Sequence, residues 1–503
     1  MTPRRSALAA ALLFVAVAVA LSAVRPLWVD EILQLMETRQ VSAAQTIADM
    51  PRTPGAAPLG YLVQQAGLWI TGYSIVRARL TPALFGGASV CIVFLLAAEL
   101  GLARPWIAGA VFAAFPLTLR YATESRVYSQ ALFFSVLATL LHVRLTKRAG
   151  WGLACGCCLA LTAAAYTQPY AACLGLANVL WCVLYRNWRS ARMSAVALAV
   201  AGIAFLPWFL WSKARWAASI AQTSTHFHIS AATPLVIFRE STGAGYWGAG
   251  CLALLYGMAV WRRWPAPRAP SLVVLIGSTV VICVLTGDAL FGYFLAARQF
   301  LWILPSLAIL AASAIERKER TALALATMLG IFCVRQSAVF FLAPKENWQA
   351  AADSILAQVP QGAPLIVVPA EQAPLYAFFH PELRGGRATS NRIVMAITPY
   401  ATGAQRQAAI AAYLAAGYEV ELERIIGGSQ IVSLTLKRKA EDELGRAWPA
   451  ALKQCRQTGV GRSGSEHQVL NGGGLSEARA GKEWDGIGKR WMVENVEDIQ
   501  AEF

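Results

Sequence analysis

Charged side chains are scarce: they make up 14% of the 503 residues, where a water-soluble domain carries about 25%. With 57% hydrophobic residues and a mean hydropathy of +0.48, the deficit excludes an ordinary soluble enzyme. Histidine is nearly absent, at five residues, and no histidine cluster suggests a metal site. Acidic residues are also few, 28 against 44 Lys and Arg, for a formal charge of +16. No compact basic domain carries that excess, which argues against nucleic-acid binding. Lys and Arg instead stand in short clusters between apolar runs, as in cytoplasmic loops. Thiols in water are missing too. Cys91, Cys155, Cys157, Cys158, Cys173, Cys182, Cys251, Cys283 and Cys333 lie in or beside apolar runs, and only Cys455 does not. A disulfide framework is therefore excluded. Cys155-Gly156-Cys157-Cys158 has no neighbouring His or acid and reads as small packing residues in a helix.

What the chain has in abundance is apolar runs of about 17 to 22 residues, each able to cross roughly 30 Å of hydrocarbon as a helix. The first runs from about Ser6 to Val24, after Arg4-Arg5. Leu21-Ser22-Ala23 could pass for a signal-peptide cleavage site. The run exceeds a usual signal h-region and many spans follow, so it reads as an uncleaved first span. Others lie at 80–100, 105–120, 127–143, 151–166, 169–185, 193–212, 243–261, 271–287, 299–315 and 321–342, about eleven spans in all. With the amino terminus inside, the short cytoplasmic loops receive Arg104, then Arg144, Lys147 and Arg148, and later Arg262 and Arg263. Everything after about Pro344 then falls outside the cytoplasm.

The first outer loop is amphipathic. Ile32, Leu33, Leu35, Met36 and Ile47 recur among polar residues, as in a helix lying on the outer leaflet. Met50-Pro51-Arg52-Thr53-Pro54-Gly55 breaks it, and Tyr61–Ile70 reads as a second interfacial helix. The expected organisation is a transmembrane domain over 1–343, with interfacial helices in 25–79, and an extracytoplasmic α/β domain over 344–438. In the latter, Trp348–Val359 and Ala404–Ala416 read as helices, and Pro364–Val368, Tyr418–Arg424 and Gln430–Lys437 as strands. The Gly-rich 439–503 tail, with Gly472-Gly473-Gly474, reads as disordered.

Three polar constellations interrupt this apolar background. Asp30-Glu31 opens the first outer loop. The pair would serve a site or simply cap a helix, since carboxylates are favoured in a first turn. Arg120-Tyr121-Ala122-Thr123-Glu124-Ser125-Arg126-Val127-Tyr128 fills a short outer turn. Snorkelling and an aromatic belt explain Arg120, Tyr121 and Tyr128; Glu124 and Arg126 are harder to explain that way. Arg77 and Arg79 precede the second span, Arg298 opens the tenth, and Arg335 lies within the eleventh. Guanidinium groups at the outer leaflet suit a lipid phosphate.

The order of these motifs resembles the GT-C glycosyltransferases, in particular the branch of protein mannosyltransferases and aminoarabinose transferases. The matches are the Asp30-Glu31 pair after the first span, Pro58-Leu59-Gly60-Tyr61, Arg79-Leu80-Thr81-Pro82, Glu124-Ser125-Arg126-Val127-Tyr128, Arg298 before Pro305, and Lys345-Glu346-Asn347-Trp348. Gln299 and Ala57 depart from the family pattern, which often has Tyr and His there. The resemblance implies a mainly α, polytopic helical bundle that moves a sugar from a polyprenyl-phosphate carrier to an outer-face acceptor, with inversion. Asp30 would be the base, with Glu31 and Glu124 in support. Arg79, Arg126, Arg298 or Arg335 would stabilise the donor phosphate, and Tyr61 and Tyr128 would line the pocket. No cofactor is fixed by the sequence; a divalent metal, if used, would bind Asp30 and Glu31. His226 and His228 read as surface residues. The implied partners are membrane lipid, the lipid-linked donor, and a glycan, lipid or protein acceptor; oligomeric state is open. The implied location is a bacterial inner membrane with the site facing the periplasm. The alternatives are a flippase of lipid-linked sugars, for which no internal repeat is evident, or an inactive envelope-assembly scaffold.

Overall fold

Within a bilayer a chain satisfies its backbone groups only as helix or closed barrel, and the Ala-, Leu- and Val-rich runs of this protein form helices. The structure, a computed structural model, describes residues 3–50, 55–222, 238–239, 242–261, 268–291, 297–316, 319–344, 346–358, 365–383 and 392–436. His226, His228, Lys345, Cys455 and the 439–503 tail lie outside the described residues. The first helices are α1 (Pro3–Ser22), α2 (Val29–Thr38), α3 (Ala43–Asp49), α4 (Pro58–Thr71), α5 (Ile75–Ala78), α6 (Leu80–Glu99), α7 (Pro105–Ala114) and α8 (Pro116–Ala122). There follow α9 (Tyr128–Lys147), α10 (Trp151–Thr167), α11 (Leu174–Leu184), α12 (Trp188–Gln222), α13 (Gly245–Trp261), α14 (Arg268–Phe291), α15 (Leu304–Ile315) and α16 (Arg320–Leu342). Among the described residues six helices are long and apolar enough to span a membrane, and five shorter apolar helices accompany them. Together they coincide with the eleven expected spans, and the protein is an integral, multi-pass membrane protein.

Two sequence expectations are corrected in detail. The 105–120 run is two helices, because Pro116 has no N–H to donate and forces Phe115 out of the helical region, to φ −60°, ψ 126°. The amphipathic stretch after Asp30 is also two helices. Ser42 is extended and its Oγ accepts from Gln45 N at 3.3 Å, starting α3 afresh.

The chain divides into two compact units. The helical unit comprises Met1–Arg25 and Glu37–Ala343. Within it α6 packs between α1 and α9, and α10 between α9 and α12. Small residues permit the close approach of α6 to α1: a Cβ on Gly87 would lie 2.9 Å from the Ala11 carbonyl oxygen and against the Val15 side chain. An extended apolar cluster from Phe14 through Phe112, Leu132 and Trp302 to Cys333 forms its main core.

The second unit joins Pro26–Met36 to the chain from Pro344 onward. It holds α17 (Trp348–Gln358), β1 (Leu365–Val368), α18 (Ala373–Ala377), β2 (Arg392–Ile397), α19 (Gly403–Ala415), β3 (Tyr418–Ile426) and β4 (Ser429–Leu436). The sheet order is β1-β2-β4-β3, with β1 parallel to β2 and the other pairs antiparallel. Strand β2 escapes sequence detection. It is buried on both faces, so its apolar residues run on without the alternation that marks a half-exposed strand. Ile393, Met395, Ile397, Val432 and Leu434 face the α19 side with Ala409. On the α17 side, Ser433 Oγ donates to Gln358 Oε1 at 3.1 Å.

Candidate functional site

In the helical unit the polar turn between α8 and α9 is built around Glu124, which is fully buried. Its Oε1 takes both Arg120 Nε at 2.8 Å and Arg25 Nη1 at 3.0 Å. Both guanidinium groups also face the Phe340 ring, with Cζ 4.8 Å and 3.7 Å from its centroid. Burial pushes the Glu124 carboxyl up, but Arg120 and Arg25 outweigh it and bring the group below the ordinary glutamate range. Oε2 is buried and takes no hydrogen bond among the described residues.

Arg79 explains why Arg25 is placed there. Wholly buried, its Nη1 donates to the carbonyls of Ser22 at 2.8 Å and Arg25 at 2.6 Å. A cation thus satisfies the orphan carbonyls where α1 ends and fixes the backbone that presents Arg25. Ser125 Oγ donates to Ala78 O at 3.2 Å, and Gln64 Nε2 in turn donates to Ser125 Oγ, so α4 and α5 brace the same turn.

Two further arginines meet on Tyr128. Arg126 Nη2 donates to its hydroxyl at 3.2 Å. The Cζ atoms of Arg126 and Arg298 lie 5.3 Å and 5.9 Å from its ring centroid. Tyr128 is itself packed edge-on against Tyr121 at 4.9 Å. Arg298 comes from the 3-10 stretch Ala297–Ile303 that leads into α15. Tyr61 is buried in the first turn of α4, among Ala57, Met50 and Trp208. Arg335 is exposed on α16 and makes no hydrogen bond or ion pair among the described residues.

Asp30 and Glu31 belong to the other unit. They occupy the first turn of α2 and are 3% and 0% exposed. The Val29 amide of that turn donates to Glu346 Oε2 at 3.3 Å, and Trp348 Nε1 donates to the same oxygen at 2.7 Å. Tyr400 stacks on Trp348, with ring centroids 5.9 Å apart. Burial raises the Glu346 carboxyl above the ordinary range. Tyr400, Trp348 and the Val29 amide pull it back, and the Asp30 charge pushes it further up.

The structure therefore gathers the predicted Glu124, Arg79, Arg126, Arg298, Tyr61 and Tyr128 within the helical unit, and Asp30 and Glu31 within the sheet unit. Sequence reasoning missed Arg25, Phe340 and Tyr400. Arg25 and Tyr400 lie in no motif that the sequence singles out. Among the described residues no group of three or more His, Cys, Asp or Glu side chains is placed to hold a metal ion, and Asp30 and Glu31 belong to none.

A helical unit and a small α/β unit thus make up the described chain, and solved structures superpose on it. The crystal structure of ArnT from Cupriavidus metallidurans in the apo state superposes with a TM-score of 0.51 at 15% identity, covering 84% of this chain and 97% of that one. The same protein bound to undecaprenyl phosphate gives 0.52 at 15% identity, covering 85% and 98%. The chain has the GT-C fold. No protein-family model matches the sequence, and no curated protein matches it. At 15% identity the likeness is one of fold, and fold alone does not assign chemistry.

Proposed function

We propose that this GT-C protein is an inverting glycosyltransferase. It moves a sugar from a polyprenyl-phosphate carrier to an acceptor on the outer face of a bacterial inner membrane. The observation that carries the reading is Asp30: a carboxylate only 3% exposed, set in the first turn of α2 straight after the first apolar helix. Buried ionisable groups cluster at functional sites, which makes this carboxylate the candidate base. The ArnT relative, whose structure was solved with undecaprenyl phosphate, supplies the class of donor.

In the reaction the acceptor hydroxyl attacks the anomeric carbon from the face opposite the phosphate. Asp30 takes the hydroxyl proton as the new C–O bond forms. The bond from the anomeric carbon to the phosphate oxygen breaks, and the polyprenyl phosphate leaves with both electrons. To Arg126 and Arg298, whose guanidinium groups both lie against the Tyr128 ring, we assign the charge that develops on the leaving phosphate. Arg79, committed to two carbonyls, acts through the backbone it fixes. Arg335, exposed on α16, would meet the lipid rather than the reacting phosphate. Glu31 and Glu124 support the acceptor side.

The test uses the purified protein in vesicles, with mannosyl- and arabinosyl-polyprenyl phosphates as donors and an envelope lipid extract as acceptor. Mass spectrometry should find a new glycosidic bond. Movement of the sugar lipid across the bilayer with no such bond would overturn the reading in favour of a flippase.

A further inference from the structure

The Lys345-Glu346-Asn347-Trp348 motif is flagged by the sequence, but the reaction above does not use it. Its three described residues are pinned on separate sides. Asn347 N donates to Gly427 O at 3.0 Å, and Asn347 Oδ1 accepts from Ala350 N at 3.0 Å, starting α17. Gly427 has φ +57°, and a Cβ there would run into the Asn347 backbone, so the β3–β4 turn seats the motif closely. Trp348 is 1% exposed and wedged against Tyr376 at 5.2 Å, whose hydroxyl donates to Ser429 Oγ at 2.9 Å. The whole of this framework points one group, the Glu346 carboxylate, at the amide that opens α2.

Helix α2 has no side-chain cap of its own on Val29, since Leu27 and Trp28 precede it. Its first N–H groups need an acceptor, and Val29 N finds one in a carboxylate 317 residues away. We propose that Glu346 is a positioning residue for the base: it clamps the first turn of α2, and through that turn fixes the direction in which Asp30 presents its carboxylate. Trp348 Nε1, which donates to the same Glu346 oxygen at 2.7 Å, holds the carboxyl in the orientation that makes the clamp. This proposal rests on the reading of Asp30 as base. It differs from a general stabilising role because the clamp acts on one turn, and that turn carries the acidic pair.

The experiment compares Glu346→Ala, Glu346→Gln and Asp30→Asn in the full-length protein in vesicles, with mannosyl- or arabinosyl-polyprenyl phosphate as donor. A Gln side-chain oxygen can accept from Val29 N and Trp348 Nε1, whereas Ala cannot. Glu346→Ala should lower kcat on the order of tenfold to a hundredfold, the cost of slight misplacement of a reacting group, with KM for the donor nearly unchanged. Glu346→Gln should restore most of kcat. In hydrogen exchange, the 29–32 amides should open faster in Glu346→Ala and not in Glu346→Gln. A Glu346→Ala protein with wild-type kcat and unchanged exchange at 29–32, alongside an inactive Asp30→Asn, would overturn the clamp and leave the base standing. A fall in kcat that Gln does not restore would also overturn it. An Asp30→Asn protein that transfers sugar at the wild-type rate would overturn the base itself, whatever Glu346 does.

Discussion

Glu124 in the helical unit and Glu346 in the sheet unit are both buried glutamates near the ends of apolar helices, yet their carboxyls shift in opposite directions. Burial penalises the charge on each. Around Glu124 two guanidinium groups overcome that penalty, at 2.8 Å and 3.0 Å, so the site stays ionised. Around Glu346 the donors are an indole and a backbone amide, both neutral, and Asp30 adds a like charge. Hydrogen bonds alone do not offset burial there, and the carboxyl is held above the ordinary glutamate range. The number of full positive charges within reach, rather than the depth of burial, separates the two sites.

The comparison breaks most visibly if Glu124 is removed. Glu124→Ala leaves Arg25, 9% exposed at its side chain, without its buried counter-ion. Loss of one partner of such a pair should cost about 3 kcal/mol, measured by detergent-driven unfolding; an unchanged stability would mean that the two arginines are satisfied without it. A second contrast lies among the arginines. Arg25 and Arg120 are engaged by Glu124, while Arg126 and Arg298 meet on Tyr128. Replacing Arg126 or Arg298 by Ala should weaken binding of undecaprenyl phosphate about tenfold each, the worth of a charge-assisted hydrogen bond. Arg335→Ala should leave binding within about twofold on the same scale. Equal losses for all three in a titration would remove the phosphate role of the Tyr128 pair.

Smaller effects sharpen the Glu346 side. The pH dependence should have opposite signs at the two glutamates. Glu346 has a raised folded pKa, so its contribution is fully present below about 4.3, the ordinary glutamate value, and fades as pH rises through the folded value. Wild type should therefore lose stability relative to Glu346→Gln on going up in pH. Glu124 has a lowered folded pKa, so wild type should lose stability relative to Glu124→Gln as pH falls from about 4.3 through the folded value. Parallel slopes for the two variants would contradict the contrast.

The membrane helices were legible in the sequence because each carries its own signal, a long apolar run that no partner is needed to explain. The helices at Trp348 and Gly403 and the strands β1, β3 and β4 were legible from local periodicity, whereas β2 was not, since burial on both faces erases it. Pairings distant in sequence were invisible. Nothing in Trp28-Val29-Asp30 announces that Glu346 will meet the Val29 amide, and nothing around Arg25 announces Glu124, 99 residues on. Arg79 shows the same limit in another way. Its charge and position suggest a phosphate ligand, and its Nη1 also donates to the Ser22 and Arg25 carbonyls, a use that only the folded backbone reveals.

The account turns on Asp30. The direct measurement is the single-turnover rate of sugar transfer by Asp30→Asn in vesicles, with undecaprenyl phosphate binding measured on the same preparation. The predicted result is a rate lower by on the order of a hundredfold to ten-thousandfold, the range for losing a general base, with lipid binding retained. Transfer at the wild-type rate would contradict it.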